Sequence, residues 1–336
     1  MNTNRPRLLV NLPPGFFTAP ILSDVWNRLD GSFDVIRTSA NSAEELRPYL
    51  VGQDAALLWS WPRWTADTLD AFPDLRFFAH LDIGQNEARL LLSRGLPVSV
   101  SRRAFSPAVA EMALTLILSA LRRTPTHQAA MAAGTESWVS RFPDDIDADE
   151  RELTGRRVRL IGFGGIGQRL ARLLAPFDCD LKVHDPFLPD GVAERFGAAN
   201  VPLDALVADA EVLVLCAATN AGSRHLLTAA HVTALPRGAV FVNVARAALV
   251  DGDALLARLR AGGLYAALDV FDKEPLEADS PLRGLPNVYL TPHRAGGVMS
   301  SVARIVSYLA DDIEAHFGGR ERAHALTEAQ LPMLDA

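Results

Sequence analysis

Short, unbroken apolar runs separated by segments of helical periodicity mark the first hundred residues. Arg7–Val10, Phe33–Ile36, Ala55–Trp59, Leu75–Phe78 and Val98–Val100 read as five strands. Ile21–Leu29 and Ser42–Leu50 read as helices between them. Strands that alternate with helices point to a parallel sheet, so this region is expected to be a small α/β domain in its own right. Ser106–Pro107 then has the form of a helix start, with Ser as N-cap and Pro at the first helical position. Val109, Met112, Ala113, Leu116, Ile117 and Ala120 follow at helical spacing. The opposite face is nearly as apolar, which predicts a buried helix, closed by Arg122 and Arg123.

From residue 157 the alternation resumes. Val158, Leu160 and Ile161 form a strand, and Leu170, Leu173 and Leu174 recur at helical spacing after a glycine turn. Leu181–His184, Glu211–Cys216, Ala239–Asn243, Ala266–Val270 and Val288–Leu290 supply further strands, and Asp251–Ala261 a helix. Residues 106–298 are thus expected to form one doubly wound domain. The helix over Val298–Phe317 is placed to cross back, so that residues 1–105 and 299–336 build the other.

The glycine turn carries the first candidate chemistry. Gly162, Gly164 and Gly167 stand in G-x-G-x-x-G spacing. The first permits a sharp turn, the second lets backbone approach a pyrophosphate, and the third lets the helix pack closely on the sheet. The helix N-terminus then faces the phosphates. Asp185 ends the next strand, 185 − 162 = 23 positions on, near the roughly 20 expected for a carboxylate that binds ribose hydroxyls. That carboxylate repels a 2′-phosphate and favours NAD over NADP. The bland alternative is a structural turn with an ordinary surface Asp.

Composition narrows the classes. Of 336 residues, 49% are hydrophobic and 22% charged, ordinary for a globular protein with large cores, and the length suits two domains. A net charge of −7 argues against a general nucleic-acid surface. Only Cys179 and Cys216 are present, without metal-ligand spacing, which suits a reducing cytoplasm. The N-terminal apolar run is too short and proline-broken for a signal peptide. Ala108–Leu121 carries Glu111 and falls short of a membrane span. Asp144–Glu150 places five carboxylates in seven positions. A solvated loop is favoured there over a metal site, since no paired His or Cys accompanies it.

Ligands of such sheets bind beyond the carboxyl ends of the strands. Arg246, Glu274 and His293 each follow a strand end. Arg246 offers a planar, permanently charged fork for a carboxylate or keto oxygen. His293 is the natural acid/base. Glu274, paired with it, would favour the imidazolium and orient the ring. Each has an ordinary reading alone: a surface cation, a strand-end histidine, a turn before Pro275. Together, behind a dinucleotide motif, they suit hydride transfer at a carbon bearing a hydroxyl and an adjacent carboxylate.

GFGGIG at 162–167, HDP at 184–186, NVARAALVD at 243–251, LDVFDKEPL at 268–276 and TPH at 291–293 resemble the D-isomer-specific 2-hydroxyacid dehydrogenase family. VAEMALTLILSALRR at 109–123 resembles its long inter-domain helix. The resemblance implies a Rossmann NAD-binding domain inserted into a flavodoxin-like substrate domain, a homodimer joined through the former, and domain closure. It assigns Arg246 to the substrate carboxylate and carbonyl, His293 as proton donor and Glu274 as its partner. It places Asp269 by the nicotinamide carboxamide and Gly165 and Ile166 N–H at the pyrophosphate. Cys216, Thr219 and Ala245 join the cofactor cleft, and Ile83 and Gly84 the substrate loop. Glu274, where the formate branch has Gln, speaks against formate.

The departures lie on the substrate side. The family's glycine-rich loop here reads HLDIGQNE, with Asp82 in place of one glycine. Its carboxylate repels an anion, binds a hydroxyl or amine, or points to solvent; solvent is favoured, as is usual for loop carboxylates. Arg102 and Arg103 greet a second acidic group or are a solvated pair. Trp59, Trp61 and Trp64 follow the third strand: Trp61 or Trp59 walls a pocket for a bulky substrate, or all are packing. Arg294 is a second cation at the site or a phosphate contact. The reading is an NAD-dependent oxidoreductase interconverting a D-2-hydroxy acid and its 2-oxo acid, in the cytoplasm. Two alternatives stay open: a dehydrogenase for a phosphite or phosphonate oxyanion, and a non-catalytic, NAD-responsive binding protein of corepressor type.

Overall fold

Apolar runs buried on both faces need cover from two layers. The computed structural model describes residues 5–59, 64–81, 83–219 and 222–334. It divides into two compact units, residues 1–105 with 298–336, and residues 106–297. The first unit holds β1 (Arg7–Asn11), β2 (Asp34–Thr38), β3 (Ala55–Leu58), β4 (Phe77–His80) and β5 (Val98–Val100). They form a parallel sheet in the order β2-β1-β3-β4-β5. Alternate residues of β1 serve opposite layers. Leu8 and Val10 pack with Val25, Leu29, Ile305, Leu309 and Ile313. Leu9 packs with Leu46, Leu50, Ala88 and Leu91, and with Leu326, Leu331 and Leu334 from the C-terminal tail. Helix Met299–Phe317 therefore belongs to this unit. Its Asp312, 1% exposed, accepts Ser99 Oγ (2.5 Å) and Ala323 N (2.9 Å), which ties the tail to β5.

The second unit holds β6 (Arg157–Ile161), β7 (Asp180–His184), β8 (Ala199–Asn200), β9 (Val212–Leu215), β10 (Ala239–Asn243), β11 (Leu264–Leu268) and β12 (Val288–Leu290). All are parallel, in the order β12-β11-β10-β9-β6-β7-β8. The sheet reverses direction between β6 and β9, the kind of switch point where such sheets open a crevice. β11 starts and ends two residues before the expected Ala266–Val270. Leu264 and Tyr265 pair with Ala239 and Val240, and the strand ends at Leu268, beyond which Asp269 N still donates to Asn243 O (3.0 Å). β4 lies two residues later than expected, on the register that sets Phe77 against Ala55.

Helix Ser106–Leu121 buries Val109, Ala113, Leu116, Ile117 and Ala120. Counted with the 3-10 turn before it, the run Arg103–Leu121 is long and apolar enough to cross a membrane, longer than the stretch read from sequence. Half of it is buried, as in a core helix. Arg123 closes it with φ +49, and a further helix, Thr124–Ala133, follows without a strong periodic signal. The acidic run is not simply solvated. Asp147 pairs with Arg123, Asp149 accepts Tyr265 OH (2.7 Å) and Glu150 meets His127 (2.6 Å).

One feature of β6 breaks its apolar pattern. Arg159 is fully buried, and its guanidinium meets Asp180 (2.8 Å) and Asp209 (2.5 Å), while Lys182 also reaches Asp209 (3.1 Å). Removing one partner of a buried charge is costlier than removing the charge itself. Asp209→Ala is expected to lower stability by roughly 3 kcal/mol, and Arg159→Met by less. Urea midpoints decide this, and the reverse order would mean that the cluster is a net stabiliser.

Candidate active site

The glycine turn is held between its neighbours at the carboxyl end of the sheet. Gly162 N donates to His184 O (2.9 Å) and Cys216 N to Ile161 O (2.9 Å). Gly162 has φ +89, and a Cβ on it would lie 2.5 Å from Ala217 Cα. A Cβ on Gly167 would lie 2.5 Å from Gly162 O, so the helix packs as closely on the turn as its glycine allows. Gly164 is the N-cap of helix Gly165–Leu174, with no side-chain cap and open space where a Cβ would stand. The first N–H groups of a helix, here from Gly165 and Ile166 onward, have no intrahelical acceptor and suit an anion.

Asp185 stands beside this turn. Its Oδ2 accepts Phe163 N (2.8 Å) and its Oδ1 accepts Phe187 N (3.0 Å). Each oxygen keeps acceptor capacity for a hydroxyl, and the negative charge opposes a phosphate. Asn200 holds Asp185 in turn, pairing with both its backbone N–H (3.1 Å) and C=O (2.9 Å). The buried Cys216 thiol donates to Gly162 O (3.0 Å). Burial, with a smaller effect of the Asp185 charge, pushes its pKa up to about 12, so it stays a thiol. These residues fit a dinucleotide: an open approach, unpaired helix N–H groups and a ribose-binding carboxylate. Thr219 is half-buried beyond Cys216.

The acid/base group forms at the ends of β10, β11 and β12. His293 Nδ1 meets Glu274 Oε2 at 2.6 Å, both partly exposed. Glu274 Oε1 accepts Phe271 N (3.0 Å). Partial burial works against the Glu274 carboxylate, but the His293 and Phe271 hydrogen bonds and the His293 and Arg246 charges outweigh it. Its pKa therefore lies below the usual carboxylate range, and Arg246 is near enough to contribute. Arg246 is exposed and gives one N–H to Ala245 O (2.9 Å), leaving most of its fork for a ligand.

Sequence reasoning missed what supports these groups. Asn243, 2% exposed, accepts Ala245 N (3.0 Å) and donates to Arg246 O (3.1 Å), which shapes the turn that presents Arg246. Asp269 is fully buried; it accepts Thr291 Oγ1 (2.5 Å), Arg294 N (2.9 Å) and Ala295 N (2.8 Å). Resemblance sets Asp269 by the cofactor; here its oxygens hold the loop that carries His293. His293 has φ +51, a conformation with a cost of order 1 kcal/mol for a non-glycine residue. For Asn243 the residue type was the available signal, since an Asn side chain that accepts the N–H two residues on forms an Asx turn, whereas the donors to Asp269 come from another strand end.

The substrate-side residues are placed differently. Ile83 turns into the first unit's core, and Gly84 N donates to Glu87 Oε2 (3.1 Å) as the helix caps itself. Trp59 packs edge-on against Phe16 (4.9 Å) and Trp64 against Phe78 (4.9 Å). Arg103 and Arg294 are exposed. Trp61, Asp82 and the Arg102 side chain lie outside the described residues.

The family model described as "D-isomer specific 2-hydroxyacid dehydrogenase, NAD binding domain" matches residues 114–295. Glycerate dehydrogenase of Hyphomicrobium methylovorum is 29% identical over 319 residues, 92% of this chain and 97% of the relative. D-3-phosphoglycerate dehydrogenase of Methanocaldococcus jannaschii is 27% identical over 94% of this chain, which spans 59% of that relative's length. The solved structure of a 2-hydroxyacid dehydrogenase from Ketogulonicigenium vulgare Y25 superposes with a TM-score of 0.76 at 26% identity, over 97% of this chain and 99% of that one. With the family match spanning more than half of its residues and falling on the glycine turn, Arg246, Glu274 and His293, the chain belongs to the D-isomer-specific 2-hydroxyacid dehydrogenase family.

Proposed function

We propose that the protein is an NAD-dependent D-2-hydroxyacid dehydrogenase acting on a small 2-oxo/2-hydroxy acid. The single observation that carries this is the His293–Glu274 hydrogen bond of 2.6 Å within reach of the Arg246 charge, on the unit that holds the glycine turn. Bound NADH supplies a hydride for the carbonyl carbon of a 2-oxo acid. Arg246 holds the carboxylate and polarises the carbonyl by charge-assisted hydrogen bonds. His293 Nε2–H gives its proton to the oxygen as negative charge builds there. Glu274, ionised throughout the neutral range, holds the Nδ1–H and offsets the imidazolium charge. Residues 106–298 serve the cofactor and 1–105 with 299–336 the substrate.

The homologous glycerate dehydrogenase makes hydroxypyruvate a first substrate to try. Purified protein is expected to oxidise NADH, in preference to NADPH, with one or more of glyoxylate, hydroxypyruvate and phenylpyruvate, and Arg246→Ala to lose this activity. Reduction consumes the proton on His293, so the rate is expected to fall on the alkaline side. NADH binding without turnover of any 2-oxo acid would replace this reading with an NAD-responsive binding protein or another oxyanion substrate. We place the protein in the cytoplasm as a homodimer. The exposed side chains of Trp138 (70%) and Phe142 (81%), in one stretch of sequence with exposed Met131, Val139 and Ile146, favour an apolar interface between copies of the second unit.

A further inference from the structure

We propose that Thr291 is a positioning residue that holds His293 in its working conformation through the buried carboxylate of Asp269. The proposal rests on the assignment of His293 as proton donor. All three hydrogen-bonding groups of Thr291 are committed. Its N–H donates to Leu268 O (3.0 Å) at the end of β11. Its hydroxyl donates to Asp269 Oδ1 (2.5 Å). Its carbonyl accepts His293 N–H (3.0 Å), closing a three-residue turn around Pro292. The proline ring fixes the middle of that turn. The chain beyond it is pinned by Arg294 N and Ala295 N on the same carboxylate.

His293 is thus gripped from both sides while its own backbone stands at φ +51. Strained backbone of this kind persists only where its surroundings over-determine it. Among the described residues the Thr291 hydroxyl is the one side-chain donor to the Asp269 carboxylate, and the other donors, Arg294 N and Ala295 N, are backbone. It is therefore the part that substitution can remove without altering the chain. Loosening it lets the imidazole drift from Glu274 Oε2, its hydrogen-bond partner at 2.6 Å. Of the charges in this unit, Arg246 acts on Glu274, the Asp269 carboxylate holds the loop of His293, and Asp272, Lys273 and Arg294 adjoin the pair in sequence.

Thr291→Val keeps the shape and removes the hydroxyl; Thr291→Ser keeps the hydroxyl. Thr291→Val is expected to lower kcat by about 10- to 100-fold with KM nearly unchanged, since a small misplacement of a catalytic group costs that much. The alkaline limb of the pH profile is expected to move to lower pH, because a weakened Glu274 partner favours the imidazolium less. Thr291→Ser is expected to restore both. The His293 ring-proton titration, followed by NMR and assigned by its loss in His293→Gln, should move the same way and requires no substrate. A Thr291→Val protein with wild-type kcat and titration overturns the proposal, as does a Thr291→Ser protein as impaired as Thr291→Val. If wild type turns over no 2-oxo acid while the titration still moves, the dehydrogenase reading fails and the positioning role stands.

Discussion

His293→Ala is expected to reduce kcat for 2-oxo acid reduction by about 10²–10⁴-fold while NADH affinity changes little. Such a loss corresponds to about 3–5 kcal/mol of transition-state stabilisation. The size follows from what replaces the imidazole. The ring is 43% exposed, so water can enter the space, but water is a far weaker acid than an imidazolium. Glu274 cannot stand in, because its pKa lies below the usual carboxylate range and it holds no proton near neutral pH. The sign is consistent on the acid side. A depressed folded-state pKa means that the Glu274 contribution is present above its unfolded value and is lost as pH falls through the folded one. Glu274→Gln is expected to be milder, moving the alkaline limb to lower pH while some kcat survives, since the amide oxygen still accepts from Nδ1. Steady-state kinetics with hydroxypyruvate, beside NADH binding by fluorescence, checks both. A His293→Ala loss below tenfold would place the proton donor elsewhere.

Gly162→Ala is expected to abolish measurable NADH binding and to destabilise the second unit by about 2–4 kcal/mol. Two costs add: alanine at positive φ, and overpacking against backbone that cannot give way. The new Cβ would stand 2.5 Å from Ala217 Cα and 2.7 Å from Ala217 N. Gly164→Ala should behave differently. Its φ of −76 suits any residue, and no atom lies within 4 Å of the added Cβ. Stability should hold while NADH affinity falls, because the methyl group stands where backbone must approach the pyrophosphate. Thermal melts with and without NADH separate the two. A Gly162→Ala protein that melts like wild type would show that the turn can move aside. A Gly164→Ala protein that binds NADH normally would remove the pyrophosphate from that turn.

The chain's local chemistry was legible without any structure. Apolar runs such as Leu8–Val10 and Val212–Leu215 became strands covered on both faces, because burial on two sides leaves no polar positions to alternate. The glycine spacing at 162–167 carried the turn, since steric exclusion of a Cβ acts on the residue itself. Arg246, Glu274 and His293 were readable because strand ends and residue types suffice to propose a fork, a base and a ring. Tertiary structure decided what no single segment contains. Register moved β11 back by two residues and set Asp269 at the strand end, where its side chain receives donors from residues 291–295. It brought Asp180 and Asp209 to Arg159, a cation that no apolar pattern places in a core. It gave Gly84 N–H to Glu87, and it held His293 at φ +51. Local pattern reports which groups a residue carries and which backbone it tolerates. The hydrogen-bond partner of a buried carboxylate or guanidinium is set by which distant strand end arrives beside it, and that requires the sheet to be assembled.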